Sequence, residues 1–305
     1  MYIKKIKLDK ILKKNSYSII LFHGVIKKNK TKVRNYTNKH LELSKFTSII
    51  KFLKSKGNCL SVKEFIKIKK EKKKLPDYSF SVSFDDGFEN NYKLAAPVLN
   101  KFRIPTIFYV TTNLLKNNQM TWIDQIEILL ENNNFIKNKF LSKKKIILDT
   151  KTSKINFLKF LRKKVKSNYK KYNTEKIVRE IYKQANKKVI NSSNNQLDKK
   201  MSFSQLKKLS KNPLFSIGGH CHNHVSMTSL NKKKLSYEID TCLKILQNEL
   251  KFKIDNFSYP EGSRIDYNKS VINALKKRGI ICCPTAVSGY NNKKTDLFEL
   301  KRFMI

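Results

Sequence analysis

Residues 78 to 84 alternate strictly, with Tyr78, Phe80, Val82 and Phe84 on one side and Ser79, Ser81 and Ser83 on the other. That period of two predicts a half-buried strand. It runs out on Asp85, Asp86 and Gly87, two carboxylates followed by a residue that lets the chain turn sharply. Apolar runs at Ser16 to Phe22, Thr106 to Val110, Leu214 to Gly219, Asn256 to Gly262, Ile280 to Cys283 and Leu297 to Ile305 predict further strands. Between them, apolar residues recur at helical spacing. Leu43 to Leu53 carries Phe46, Ile49, Ile50 and Leu53 on one side, with Ser44 as N-cap and Gly57 as stop. Helices are also predicted at Leu60 to Ile68, Trp122 to Leu130, Ser204 to Leu209, Leu235 to Leu250 and Ser270 to Arg278. Tyr92 to Phe102 reads as a helix in which Pro97 forces a kink or a late start. Strand, helix, strand at this spacing is the unit of a parallel sheet, whose working groups gather at the carboxyl ends of its strands. Asp85 and Asp86 stand at such an end.

Residues 131 to 200 break the pattern, being rich in Lys, Asn and Ser and free of Gly and Pro. They are expected to form a helical insertion or lid within a single domain spanning 1 to 305, rejoining the core through the loop around Asn191 to Asn195. A chain of 305 residues that is 40% hydrophobic can bury a substantial core. Its formal charge of +43, from 66 Lys and Arg against 23 Asp and Glu, raises nucleic acid, acidic lipid and anionic polymers as partners. The lysines are spread along the chain with abundant Asn and Ile, which codon bias explains equally well. No helix-turn-helix, zinc-finger or aromatic RNA-binding signature accompanies them, so specific nucleic-acid binding is not expected. Peripheral contact with an anionic membrane is left open, since each Lys near such a surface contributes about 1 kcal/mol. Five cysteines without Cys-x-x-Cys spacing read as reduced thiols. The longest apolar run near the N-terminus, Ile19 to Phe22, is too short for a signal-peptide core or a membrane span. A cytoplasmic chain, peripheral at most on the inner face of a membrane, is therefore expected, and nothing in the pattern fixes its oligomeric state.

Four predicted strand ends carry His23, the Asp85 and Asp86 pair, the cluster His220, His222 and His224, and the turn Pro260-Glu261-Gly262. Adjacent carboxylates repel unless a cation or proton lies between them. Two histidines four apart can reach one ion if the chain turns after the first, and a single Asp with two His makes a three-ligand site open to water and substrate. Ordinary turn chemistry at Asp-Gly and a surface histidine pair are the alternatives for each feature taken alone.

Together these segments resemble a known family. Ser83 to Gly87 (SFDDG), His220-x-x-x-His224 followed by Val225-x-Met227, and Phe257 to Ser263 (FSYPEGS) look like the first three motifs of the polysaccharide deacetylases, the NodB-homology or carbohydrate esterase 4 family. LFHGV at 21 to 25 and the closing DLFELKRFMI resemble the ends of a bacterial branch. The likeness covers nearly the whole chain, weakly between Glu131 and Ser202. It implies an α/β fold, a distorted (β/α) barrel of about seven strands, and a metal-dependent hydrolase that removes N-acetyl groups from an amino sugar in a polysaccharide or its precursor. Carried over, it makes Asp86, His220 and His224 ligands of a divalent metal, most often zinc. Asp85 becomes the general base, and the backbone N–H of Glu261 shares the oxyanion with the metal. The partner implied is an N-acetylated carbohydrate, and a cytoplasmic chain suggests a lipid-linked or nucleotide-linked sugar.

Two departures stand out. The family's arginine that steadies the base falls at Ser258, so the chain is expected to lack it. No histidine follows His224, where many members take their general acid from a late Leu-x-x-His; in the branch that LFHGV resembles the early histidine can serve, so the resemblance makes His23 the candidate acid. His222, flanked by the ligands, is expected to point away, and His40 lies in a polar stretch. A competing reading follows from these departures: a catalytically inactive protein of this fold that binds carbohydrate or anionic lipid. Trp122 reads either as a sugar platform or as packing.

Overall fold

The computed structural model describes residues 10–138 and 142–305. In chain order its first half comprises β1 (Tyr17–Phe22), β2 (Gly24–Ile26), β3 (His40–Glu42), α1 (Leu43–Lys56), β4 (Asn58–Cys59), α2 (Val62–Lys70), β5 (Ser79–Phe84), α3 (Ala96–Lys101), β6 (Thr106–Val110), α4 (Thr112–Asn117) and α5 (Trp122–Asn132). There follow β7 (Phe135–Asn138), β8 (Ser142–Ile147), α6 (Lys151–Ser167), α7 (Thr174–Gln184), α8 (Phe203–Ser210), β9 (Phe215–Gly219), α9 (Lys232–Leu250), α10 (Lys269–Lys276) and β10 (Arg302–Met304).

The strands β10, β1, β5, β6 and β9 lie side by side in that order, all parallel. Single parallel bridges, Gly219 to Phe257 and Asn256 to Cys282, carry the sheet onward. N–H groups of Cys283, Thr285 and Arg302, bonded to the carbonyls of Leu297, Leu300 and Val287, bring it back to β10. Five strands and two extended segments thus close the distorted α/β barrel. Its last two staves are irregular for a local reason: Pro260 and Pro284 have no N–H to give a ladder.

The central strand β5 is not half-buried, because all six of its residues are inside. Its register on β1 sets Phe80, Val82 and Phe84 beside Ser18, Ile20 and Phe22, and the ring of Phe84 stacks on Phe22 at 5.4 Å and on Phe108 at 5.3 Å. The serine side faces a second apolar cluster of Tyr17, Ile19, Phe65 and Tyr109. Its hydroxyls are satisfied internally: Tyr17 donates to Ser81 Oγ at 2.7 Å and Ser83 Oγ to the Ile20 carbonyl at 3.3 Å. A parallel sheet is covered on both faces, so a polar alternation there marks internal hydrogen bonding rather than solvent.

Other departures are local. Helix α1 starts at Leu43 with Glu42, not Ser44, in the cap position; the Glu42 carboxylate instead accepts the Asn29 N–H at 3.0 Å. Pro97 delays the regular helix, since a π-helical turn, Asn91–Ala95, precedes α3 and the proline has no N–H to bond back to the preceding turn. Within 131 to 200, lysine-rich β8 pairs antiparallel with β7, so the segment is not purely helical. Its side chains Ile136, Leu148, Leu158, Leu161 and Ile181 close a separate apolar cluster with Ile126 and Leu130 of α5, and Trp122 packs against it. Among the described residues no helix is long and apolar enough to cross a membrane.

His40 is buried in β3 rather than set in a polar loop. A Cβ on Gly24 would lie 1.9 Å from His40 Nδ1 and 2.5 Å from its Cε1. Gly24→Ala is therefore expected to cost about 1–3 kcal/mol of stability by overpacking, read as a lowered urea midpoint at unchanged slope.

Candidate active site

Asp85 still belongs to the sheet, its N–H donating to the Phe22 carbonyl at 3.1 Å. Asp86 leaves it, with φ +73°, and Gly87 follows at +76°. A Cβ on Gly87 would sit 2.6 Å from Leu115 Cδ1, so glycine is required there by space as well as by backbone. This left-handed pair sends the two neighbouring carboxylates in different directions. After β9, His220 N–H donates to the Val110 carbonyl at 3.0 Å, and Cys221 and His224 adopt φ of +62° and +54°. Such backbone concentrates where a site must be aimed, and costs of order 1–3 kcal/mol per residue. Glu238 of α9 holds this turn by accepting the N–H groups of His222 at 3.0 Å and Asn223 at 2.8 Å and the Asn223 amide at 2.6 Å. Asp266 ties it to the Glu261 turn, accepting from Ser226 Oγ at 2.6 Å and from the Ser263 N–H at 3.0 Å.

The result brings together residues far apart in sequence. Asp86 Oδ1 lies 3.6 Å from His220 Nε2 and 3.2 Å from His224 Nε2, with one ligand atom from each of the three within 4.8 Å of the others. Four ligands at about 2.0–2.1 Å around zinc stand roughly 3.3 Å apart. His220 Nδ1 donates to the Ser258 carbonyl at 2.8 Å, which turns the lone pair of Nε2 toward Asp86, and burial drops this imidazole to about 4, the neutral form that binds metals. Asp86 Oδ1 is itself buried without a hydrogen-bond partner, an arrangement that costs free energy unless a cation meets it. Burial opposes charge on both Asp86 and His224, yet their mutual attraction lowers the first well below the carboxylate range and raises the second. A divalent ion would require the His224 imidazole in its neutral form. The donor set fits such an ion.

Asp85 has a different partner. Arg302 of β10 donates to both its oxygens, Nη1 to Oδ1 and Nη2 to Oδ2, each at 2.8 Å. The guanidinium is fully buried, gives Nε to the Thr285 carbonyl at 2.7 Å and Nη2 to Ser258 Oγ at 2.9 Å. Position 258 lacks the arginine as expected, but Asp85 is not without one: an arginine arrives from the last strand, and Ser258 is small enough to let it in and polar enough to bind it. Burial would raise the Asp85 carboxyl, but Arg302, with His220, holds it below the ordinary value.

His23 follows β1, its carbonyl accepting the Asn91 amide at 2.8 Å. Burial lowers its imidazole, while Asp86 and Asp85 pull the other way, so the ring lies in the field of both acids. Glu261 is in the left-handed region at φ +62°, in the middle of a three-residue turn that Gly262 N–H closes on the Pro260 carbonyl at 2.7 Å. Its side chain pairs with Lys166 of α6. His222 does not join the site, since its Nδ1 lies 2.8 Å from Thr112 Oγ1 and its ring meets Tyr237 edge-on at 5.8 Å. His40 is occupied by the Asn90 amide at 3.2 Å and the edge of Phe88.

The sequence pattern of the family described as Polysaccharide deacetylase matches residues 72–282. The chain belongs to the polysaccharide deacetylase family. Within 126 residues it is 32% identical to a poly-beta-1,6-N-acetyl-D-glucosamine N-deacetylase of Staphylococcus aureus, covering 37% of this chain and 42% of that one. A protein of the same description from Staphylococcus epidermidis is 35% identical over 122 residues, 36% and 39% of the two chains. The matches thus span about two fifths of the curated relatives' length. Solved structures with the same fold include the Streptococcus pyogenes deacetylase PplD (TM-score 0.61, 14% identity, 96% of this chain and 93% of that one). A de-N-acetylase from Aggregatibacter actinomycetemcomitans gives TM-score 0.62 at 16% identity over 95% and 94%. The match to the polysaccharide deacetylase pattern ends before β10, so Arg302 lies outside it. Glu238 escaped sequence reading too, although an acid between Leu235 and Ile239 on the apolar face of α9 was a usable signal.

Proposed function

We propose that this chain removes the N-acetyl group from an amino sugar of a polysaccharide or its precursor, with N-acetylglucosamine as the sugar and zinc as the ion. The observation that carries the reading is the pairing of an aspartate and two imidazoles around an unpartnered carboxylate oxygen, beside a second aspartate kept ionised outside that set. Asp86, His220 and His224 would hold a divalent ion, which would supply Lewis acidity and make water acidic enough to attack near neutral pH. Asp85 takes the proton as the water oxygen bonds to the amide carbon, and Arg302 fixes the direction from which it does so. The Glu261 N–H donates to the carbonyl oxygen as that oxygen gains charge. His23, held below its ordinary value and thus a ready donor once protonated, gives a proton to the nitrogen as the C–N bond breaks, leaving acetate and a free amine.

The names of the staphylococcal relatives support a poly-N-acetylglucosamine type of substrate. Free thiols at Cys59, Cys221, Cys242, Cys282 and Cys283 support a reducing, cytoplasmic setting. Arg302 removes one of the two grounds for a non-catalytic protein, and no contact favours that alternative. The test is acetate release from N-acetylglucosamine oligomers by the purified chain. Chelation is expected to abolish it and zinc to restore it; undiminished turnover after chelation overturns the reading.

A further inference from the structure

The inserted segment does not stand clear of the site. On the C-terminal half of α6, Lys166 ion-pairs with the Glu261 carboxylate, and Arg162, about one helical turn earlier, charges the same group. Burial opposes ionisation of Glu261, and Lys166, then Arg162 and His224, overcome it and hold the carboxyl below its ordinary value. The residue so gripped is itself in the left-handed region. A non-glycine residue at φ +62° in a three-residue turn is rare and strained. The turn rests on a rigid floor, with Ala286 N–H donating to the Gly262 carbonyl at 2.8 Å and a Cβ on Gly262 reaching to 2.7 Å from Ala286 N. Above it, the grip comes from the insertion. Among the described residues the Glu261 N–H itself donates to no protein acceptor, so it is available to a ligand.

We propose that Lys166 is a positioning residue: through the Glu261 side chain it holds the turn that aims the Glu261 N–H at the scissile carbonyl oxygen, so the insertion takes part in turnover. This rests on the deacetylase reading above. A partly exposed ion pair, with side chains 37% and 17% accessible, contributes little to global stability. Its effect therefore belongs in the rate rather than in the melting temperature.

Full-length, zinc-loaded Lys166→Met and Glu261→Gln are compared with the wild type for kcat and KM of acetate release. Each is expected to lower kcat by about 10- to 100-fold, less than the ~10²–10³ for deleting an oxyanion donor, with KM within about threefold. The double variant should be no slower than the worse single, because both act through one contact. The exchanged pair, Lys166→Glu with Glu261→Lys, should recover part of the loss. A kcat for Lys166→Met within twofold of wild type overturns the proposal, as does a loss that merely tracks a lower folded fraction. If the wild type itself releases no acetate, the deacetylase reading fails instead. Hydrogen exchange at the Gly262 amide, bonded to the Pro260 carbonyl, then decides the grip alone: faster exchange in Lys166→Met supports it, and unchanged exchange refutes it.

Discussion

Arg302→Met is expected to destabilise the fold by about 3–5 kcal/mol and to slow acetate release by roughly 10- to 100-fold. Both effects have one cause. The guanidinium is fully buried and makes two 2.8 Å bonds to Asp85, one of 2.7 Å to the Thr285 carbonyl and one of 2.9 Å to Ser258. Methionine fills the volume and leaves a carboxylate unpaired inside the barrel. Arg302→Lys keeps the charge but loses the two-pronged geometry, and should fall between. The pH dependence distinguishes this account from simple loss of packing. In the wild type the native Asp85 value lies below its ordinary one, so the pair's stabilisation is present above about pH 3.9 and is lost as pH falls through the depressed native value. In the variant burial is opposed only by His220 and His23, the native value rises, and the carboxylate becomes a liability wherever it is ionised. The stability gap should be widest near neutrality and shrink toward acid, and the acidic limb of the rate profile should move to higher pH. Equal gaps at pH 7 and pH 4 in urea titrations would count against an ionic role for Arg302.

The same residue shows where the sequence stopped being legible. The period of two before Asp85, the His220-x-x-x-His224 spacing and the helical runs are local patterns, and each points to an element or to side chains that the fold brings together. The Asp85 to Arg302 pair spans 217 positions, and nothing local distinguishes this arginine from others in a chain with 66 Lys and Arg. Ser258 was legible only as a missing arginine, because a position can show what it holds but not what its smallness admits. The buried serine side of β5 misled for a related reason: alternation reports two environments, and a parallel barrel offers two buried ones. Hairpin β7 and β8 was hidden by lysines, which carry no periodicity of their own.

Asp85→Asn is expected to remove about 10²–10⁴-fold of turnover while leaving zinc stoichiometry near that of the wild type; Asp86→Asn should lose both. The two acids are adjacent in sequence and both buried, so composition and exposure cannot separate their roles. Geometry does. Asp86 Oδ1 lies 3.2 and 3.6 Å from the two imidazole nitrogens, whereas the nearest approach of Asp85 to His220 Nε2 is 4.0 Å and both its oxygens are taken up by Arg302. An amide at 85 keeps the shape but cannot accept a proton at neutral pH, and it turns an NH₂ toward a guanidinium that has only donors. An amide at 86 removes the negative charge that two neutral imidazoles need beside them to hold a divalent ion. Metal analysis run beside the acetate assay therefore tests whether the neighbours divide into the proposed base and the proposed ligand. Zinc lost from Asp85→Asn and kept by Asp86→Asn would reverse the assignment, and with it the direction from which water attacks the amide.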